Sequence, residues 1–597
     1  GNVDETTFYF QKALESKRQG TTLTQYGLYL STQDQIFKGY DLLKEASEMN
    51  FVNEKDIEIR AATLLPVVSS NRKSLDAALI FLDRRLSILE KKWFNKPSFN
   101  QLNPQSLLRW SPTIYRLHYL SKNMSLNLNF LKRKAKLNFW MTNSLNYIAK
   151  HLMIYNERRG ISANLHYKAM QRQLASSNVQ YKIKIGFFTV HFCKSHSLYM
   201  HAGHIIENLP RNTYHVYYIR SNAVMCATDY DNVLRANLDK DTDVYIDGRL
   251  DKLETARLQV ANLKLDILVN LEIGMDPIPY FLGFARLAPI QISTWCFVAT
   301  SGIEDTIDYF ISAEYLEPRI KGSTLVVDTG YTEQTVQFHH SPWVLKRDKK
   351  KISKYACKKE RNHHPNNNYI ENDDKFTTIA NNKLDYKLTT ELNIPLNASI
   401  VTCAQIVNKF HPDFDYLLLS ILKKNPHSVY VVIVIAIEKG SNEYNAVTFL
   451  KTRIRSYLGH AYSSRVKFLS RIDRLEYLAL TSRSKVILDT LPWSAFTTAH
   501  EAIKLGVPLV TLPGPDIRGR FPYRLYKQMD FLDLVAKNVE DYATIVSRLC
   551  NDQVYYEWVR MQLLHKGKIL SNHISIKQTL QEWDQFLQRV FKMENTR

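Results

Sequence analysis

One stretch of this 597-residue chain limits its fold more than any other. Ser484-Lys485-Val486-Ile487-Leu488 ends in a short apolar run, and Asp489-Thr490-Leu491-Pro492-Trp493-Ser494-Ala495-Phe496 follows as a turn. A segment of helical periodicity then opens on Thr497-Thr498 and closes at Gly506-Val507-Pro508. Leu509-Val510-Thr511 reads as a second strand, stopped by Leu512-Pro513-Gly514. Strand, turn, helix, strand is the unit from which parallel sheets with helical crossovers are built. A helix that begins on two threonines offers two hydroxyls and unpaired N–H groups at its positive end, which suits a diphosphate. Glu501, one turn further in, is placed to accept hydrogen bonds from a ribose diol. A bare Thr-Thr start is more often an ordinary N-cap; the full run is far more specific.

The same texture extends over most of the chain. Apolar runs at 183–189, 214–219, 265–271 and 288–294 alternate with helical patterns, as do runs at 400–402, 429–437, 466–469, 486–488 and 509–511. Two doubly wound α/β lobes are expected, at 180–345 and 389–570, with a crevice outside the carboxyl ends of their strands. Residues 1–175 read as all-helical. Phe10, Ala13 and Leu14 fall at helical spacing, and 77–89 is strongly amphipathic. The segment Phe8 to Glu15 is similar to the second helix of a tetratricopeptide repeat, although no clean period of about 34 residues emerges. Between the lobes, 346–362 holds nine Lys or Arg against two acidic residues. With the Asn-rich and acidic stretch that runs on to Asp374, this composition cannot bury a core, and 346–388 is read as an insertion or linker. Residues 571–597 form a terminal helix.

Composition narrows the class. The length calls for about two to four domains, and 45% hydrophobic with 12% aromatic residues is globular. A formal charge of +21 favours acidic partners, but no RNA-binding signature accompanies it, so nucleic acid is not expected as the main ligand. Six scattered cysteines without a C-x-x-C pair point away from zinc and disulfides, towards a reducing compartment. No run nears the roughly 18 apolar residues of a membrane span. The Asp413-Phe414-Asp415 and Asp239 to Asp243 stretches contain D-x-D patterns that could hold a metal, but such pairs arise often by chance.

The Thr497 run resembles the C-terminal lobe of the O-linked N-acetylglucosamine transferase family, which includes protein O-GlcNAc transferases, plant protein O-fucosyltransferases and bacterial protein N-glucosyltransferases. The resemblance continues in Arg518-Gly519-Arg520-Phe521-Pro522-Tyr523-Arg524, in Asp541-Tyr542 and in Gln405-Ile406-Val407-Asn408-Lys409-Phe410-His411-Pro412. It extends to Ile273-Gly274-Met275-Asp276-Pro277, Tyr280-Phe281-Leu282-Gly283, Thr300-Ser301-Gly302 and Ile307-Asp308-Tyr309. These blocks stand in family order over about residues 180 to 550. The resemblance implies a GT-B arrangement of two facing Rossmann-like lobes behind a tetratricopeptide-like region. It also implies an inverting, metal-independent glycosyltransferase of the cytoplasm, with the nucleus open as well. Such an enzyme would carry a sugar from a nucleotide donor, UDP-GlcNAc first among them, to Ser or Thr of proteins held by the N-terminal helices. No cofactor beyond the UDP-sugar substrate is implied.

By the same resemblance, Lys409 matches the lysine that contacts the diphosphate, and Gln405 a glutamine beside it, here one residue further away. Arg474 and Tyr477 stand where the family carries a lysine and a histidine at the nucleotide, and Tyr477 could stack on uracil or ribose. Thr497, Thr498 and Glu501 keep the roles read above. His196, on the acceptor side, is the catalytic candidate of the first lobe with Lys409 in the second; His191, His201 and His204 compete with it. Phe496 replaces a small residue or histidine, and Trp295-Cys296-Phe297-Val298 replaces a Trp-Gly-His-Pro-like loop. These departures keep two alternatives open: a catalytically degenerate scaffold, or an N-linked transferase acting on Asn.

Overall fold

The computed structural model describes residues 3–49, 54–93, 117–121, 123–142, 181–190, 197–221, 243–246, 253–294, 300–304, 306–318, 330–343, 381–395, 397–425, 429–435, 442–571 and 573–596. His191, His196, the 295–298 loop, the basic run 346–362 and the Asp239 end of the second D-x-D lie outside them.

Two all-parallel sheets organise the chain. The first has the order β3-β2-β1-β4-β5-β6-β7, with β1 Ile183–Thr189, β2 Tyr214–Ser221, β3 Asp243–Ile246, β4 Ile267–Asn270, β5 Ile290–Thr294, β6 Tyr309–Ala313 and β7 Gln334–Phe338. The second has the order β10-β9-β8-β11-β12, with β8 Ser399–Ala404, β9 Val429–Val434, β10 Val466–Leu469, β11 Val486–Leu488 and β12 Leu509–Val510. Each sheet starts at an interior strand, winds outward, then returns to wind the other way. The reversal lies between β1 and β4 in one lobe and between β8 and β11 in the other. Such switch points leave a crevice at the strand carboxyl ends. The two lobes with their helical region form a GT-B architecture.

Strand alternation splits the first lobe's core. Ile183, Ile185 and Phe187 of β1 face one cluster and Phe188 the other, as the two-residue period of a strand requires. The Phe188 side joins the N-terminal helices: Leu82, Leu86, Phe130 and Leu131 share its cluster. The opposite side is closed by the helix His573–Thr596, whose Trp583, Phe586, Leu587 and Val590 are buried there. That helix is also tied by polar groups. Trp583 Nε1 donates to the Pro342 carbonyl at 2.9 Å, and Glu582 accepts the backbone N–H groups of His339 and His340 at 2.9 Å each. The second lobe's cluster takes in Val67 and Val68 from the helical region, so the helices touch both lobes.

Within the helical region, Gly20–Thr32 and Ile36–Glu48 cross backbone to backbone. A Cβ on Gly27 would meet the Gly39 carbonyl oxygen at 2.8 Å, and one on Gly39 the Gly27 oxygen at 2.7 Å. Only glycine permits that approach, and it brings Leu23, Leu30 and Leu43 into full burial. In the linker direction, the stretch 381–391 is helical, and its Leu384 and Leu388 are buried against the second lobe. No described helix is long and apolar enough to cross a membrane.

Candidate active site

The site grows from the carboxyl edge of β8 and β11. Past β8 the chain turns through Gln405 into a short 3-10 turn, Val407–Lys409, stopped by Phe410. Pro412 then opens the next helix, Pro412–Lys424. Past β11, Asp489 begins the loop that leads to the helix Thr497–Lys504. Asp489 is buried and organises that loop. It accepts the Ala495 backbone N–H at 2.6 Å and the Thr511 hydroxyl at 2.6 Å. Its own N–H donates to the Tyr542 hydroxyl at 2.8 Å, which gives the tyrosine of the Asp541-Tyr542 pair a place beside the site.

Lys409 reaches across this edge and donates from Nζ to the Ser494 carbonyl at 2.9 Å. Burial holds its ammonium below the ordinary lysine range, and the Asp489 carboxylate opposes part of that shift. Burial drives Asp489 the other way, above the usual carboxylate range. A cation kept costly by desolvation gains most from an added anion, which is the electrostatic condition for a diphosphate seat.

The Thr497 helix begins without a side-chain cap, since its N-cap is Phe496. No N-cap side chain takes up its first N–H groups, and Thr497 and Thr498 stand half-buried beside them. Gln405 Nε2 donates to Thr498 Oγ1 at 3.1 Å. Glu501 is buried and accepts from Arg474 Nη2 at 2.5 Å, while the Arg474 guanidinium lies 5.3 Å from the Tyr477 ring centroid. Arg474 is aimed by a capping box, in which Asp473 and Glu476 each bond the other's backbone. Gln405, Lys409, Arg474, Tyr477, Thr497, Thr498 and Glu501 thus gather on one edge of the second lobe. His196 lies outside the described residues. The first-lobe histidine that enters is His201, whose Nε2 is 3.1 Å from Thr497 Oγ1. Sequence periodicity could not choose among four histidines within 191–204.

A second loop closes the site from below. Ser494 Oγ donates to the Arg518 carbonyl at 2.8 Å, and Gly514 and Gly519 pass so closely that a Cβ on Gly519 would sit 2.7 Å from Gly514 Cα. Arg518 forms a buried pair with Asp516 and reaches the Ser121 carbonyl of the helical region at 3.2 Å. Arg520 donates to the Tyr315 carbonyl of the first lobe at 3.1 Å. The Arg518–Phe521 block is therefore a joint between three parts of the molecule. Similarly, Thr300 and Ser301 hold the buried Glu333, at 2.7 Å from the Thr300 hydroxyl and 2.8 Å from the Ser301 N–H.

Both carboxylates of the 413–415 D-x-D are engaged elsewhere. Asp413 takes Arg72 in a bidentate pair at 2.7 and 2.8 Å, and Asp415 takes Arg453 at 2.8 Å to each oxygen. Among the described residues no group of three or more His, Cys, Asp or Glu side chains is placed to share a metal ion.

Two facing doubly wound lobes with a cationic, helix-capped edge define a GT-B glycosyltransferase fold. Residues 386–582, about a third of the chain, match the family model described as glycosyl transferase family 41. Among solved structures it is similar to a mutant of the Thermobaculum terrenum O-GlcNAc transferase. That likeness is at 17% identity and a TM-score of 0.61, over 100% of this chain and 95% of that one. Lesser likenesses include a UDP complex of Anabaena HepE (12% identity, TM-score 0.41, 68% of this chain and 100% of that one). Another is the N-terminal domain of Candida albicans trehalose-6-phosphate phosphatase (13%, 0.40, 68% and 97%).

Proposed function

We propose that the protein transfers a sugar from a UDP-linked donor, with UDP-GlcNAc first among candidates, to Ser or Thr hydroxyls of other proteins in the cytoplasm. The observation that carries this reading is the meeting of Lys409, Gln405, the Thr497 helix start, Glu501 and Arg474 on one strand edge. Lys409 and the helix N-terminus would take up the charge that grows on the leaving diphosphate. Glu501 would hold the ribose, turning from Arg474, and Tyr477 would stack on the nucleoside. The acceptor oxygen attacks the anomeric carbon as the sugar–phosphate C–O bond breaks. The configuration inverts, UDP departs with the bonding pair, and the acceptor proton passes to a base. His196 is our candidate for work on that side of the cleft, and the N-terminal helices for recruiting the polypeptide.

The test is direct. The unaltered protein should bind UDP, gain thermal stability by mass action, hydrolyse a UDP-sugar slowly and label proteins of a cell extract. Turnover should persist in chelator, with charge neutralised by Lys409 and backbone N–H groups. Lys409→Ala should weaken UDP binding by about 1.5–3 kcal/mol. UDP binding at Lys409-independent strength would remove this assignment. One observation favours a scaffold instead. The Phe496 ring fills the space at the helix start, 4.3 Å from the His201 ring and 5.1 Å from Phe521. Binding without turnover, reversed by Cys296→Gly with Phe297→His, would establish that second reading.

A further inference from the structure

We infer that His201 is a positioning residue which, from the first lobe, sets the Thr497 hydroxyl to donate its proton to the donor's diphosphate. The inference rests on the nucleotide reading above and adds a residue to it. A hydroxyl has one proton to give and two lone pairs to receive with. Thr498 Oγ1 already receives an N–H from the Gln405 amide at 3.1 Å, so its own proton is left for another acceptor. His201 Nε2 stands in the same relation to Thr497, also at 3.1 Å. With the ring proton on Nε2, His201 donates and the Thr497 proton is released towards the helix start. With the proton on Nδ1, Thr497 would spend its proton on the ring and be lost to a phosphate. Two adjacent hydroxyls would thus be oriented by two N–H donors, one from each lobe. Donation into an oxygen also strengthens the bond that oxygen's proton makes.

The setting suits a fixed orienting group. His201 is 1% exposed, on the second turn of the helix Ser197–Asn208. Its ring packs 4.3 Å from Phe496 and 6.0 Å from His500. His500 Nδ1 in turn lies 3.1 Å from the Phe496 carbonyl oxygen. Phe496, which departs from the family pattern, forms the wall against which this imidazole is held. The bond also spans the cleft, so diphosphate affinity would depend on the lobes being together.

Calorimetric titration with UDP and with uridine separates this role from a structural one. His201→Leu should weaken UDP binding about tenfold, equivalent to roughly 1.4 kcal/mol, and change uridine binding less than twofold. His201→Gln, whose amide restores an N–H near the Nε2 position, should recover most of the loss. Equal UDP affinity in the unaltered and Leu proteins, or equal losses for UDP and uridine, would overturn the inference while leaving the nucleotide reading intact. Absence of UDP binding by the unaltered protein would remove both. Should the Leu variant not fold, histidine-selective ¹⁵N NMR of the unaltered UDP complex decides the matter. A proton on Nε2 of His201 supports the role, and a proton on Nδ1 alone ends it.

Discussion

Arg72 and Arg453 answer the two carboxylates of one D-x-D motif under opposite conditions. Arg72 meets Asp413 with its side chain 68% exposed, whereas Arg453 and Asp415 are 4% and 2% exposed. Arg453 also donates to the Ser69 and Phe410 carbonyls at 2.8 and 3.0 Å. Solvent screening leaves an exposed pair little net value, while breaking a buried one strands a charge. Arg72→Ala should therefore cost under about 1 kcal/mol and Arg453→Ala about 3–5 kcal/mol, read from urea midpoints at constant slope. Glu317 gives a pH signature. It is buried, accepts from Ser312 at 2.6 Å and Tyr331 at 2.9 Å, and burial raises its pKa from 4.5 to about 7 despite them. The folded state then keeps a proton that the unfolded chain loses. Its contribution is present in full below pH 4.5 and is lost as the pH rises to 7. Glu317→Gln should flatten that fall, by an amount on the order of 3 kcal/mol between pH 4.5 and 7.5. An unchanged pH slope would contradict it. The place of the Thr497-Thr498 start and Glu501 at a strand's carboxyl edge was legible from the strand-turn-helix run, and that of Lys409 from the resemblance. Asp489 was not, because its role arises only when Thr511 and Ala495 fold back onto it.

Among elements, all five strands of the second sheet coincide with apolar runs readable in the sequence, since each is a buried interior or short edge segment. In the first sheet, 183–189, 214–219, 265–271 and 288–294 mark β1, β2, β4 and β5; β6 entered only within the Ile307-Asp308-Tyr309 block, and the two edge strands β3 and β7 left no comparable trace. Asp243–Ile246 is a four-residue edge strand, and Gln334–Phe338 is a half-exposed edge carrying Gln334, Thr335 and Gln337. Edge strands need bury only part of one face, so their apolar pattern is weak. The helix His573–Thr596 was legible as a helix, but nothing in its sequence names the surface it covers. Trp583→Ala should cost about 3–5 kcal/mol of stability through the cavity it leaves and the Pro342 hydrogen bond it removes. Thermal unfolding of the first lobe, followed by Trp583-independent near-UV signals, would measure this. A shift of less than about 1 °C would mean the helix is dispensable.

For the molecule as a whole, the N-terminal helices behave as a third wall of the catalytic body. They enter the Phe188 cluster of the first lobe and the Val67 cluster of the second, and accept from Arg518 at Ser121 and from Arg453 at Ser69. A chain lacking 1–142 should expose that face of the first sheet, bind hydrophobic dyes and unfold with a reduced denaturant slope. Cooperative unfolding at the original midpoint would show the lobes to be self-sufficient.

The helix His573–Thr596 carries one more consequence. The sheet it seals was complete in sequence by residue 338, yet the seal itself is translated more than 200 residues later. The helix Ser197–Asn208 covers part of that face early, but on the ribosome the rest must wait uncovered while the second lobe emerges and folds. Chaperone demand should peak during that interval, and a stop codon near residue 570 should injure the lobe made first rather than the lobe just completed.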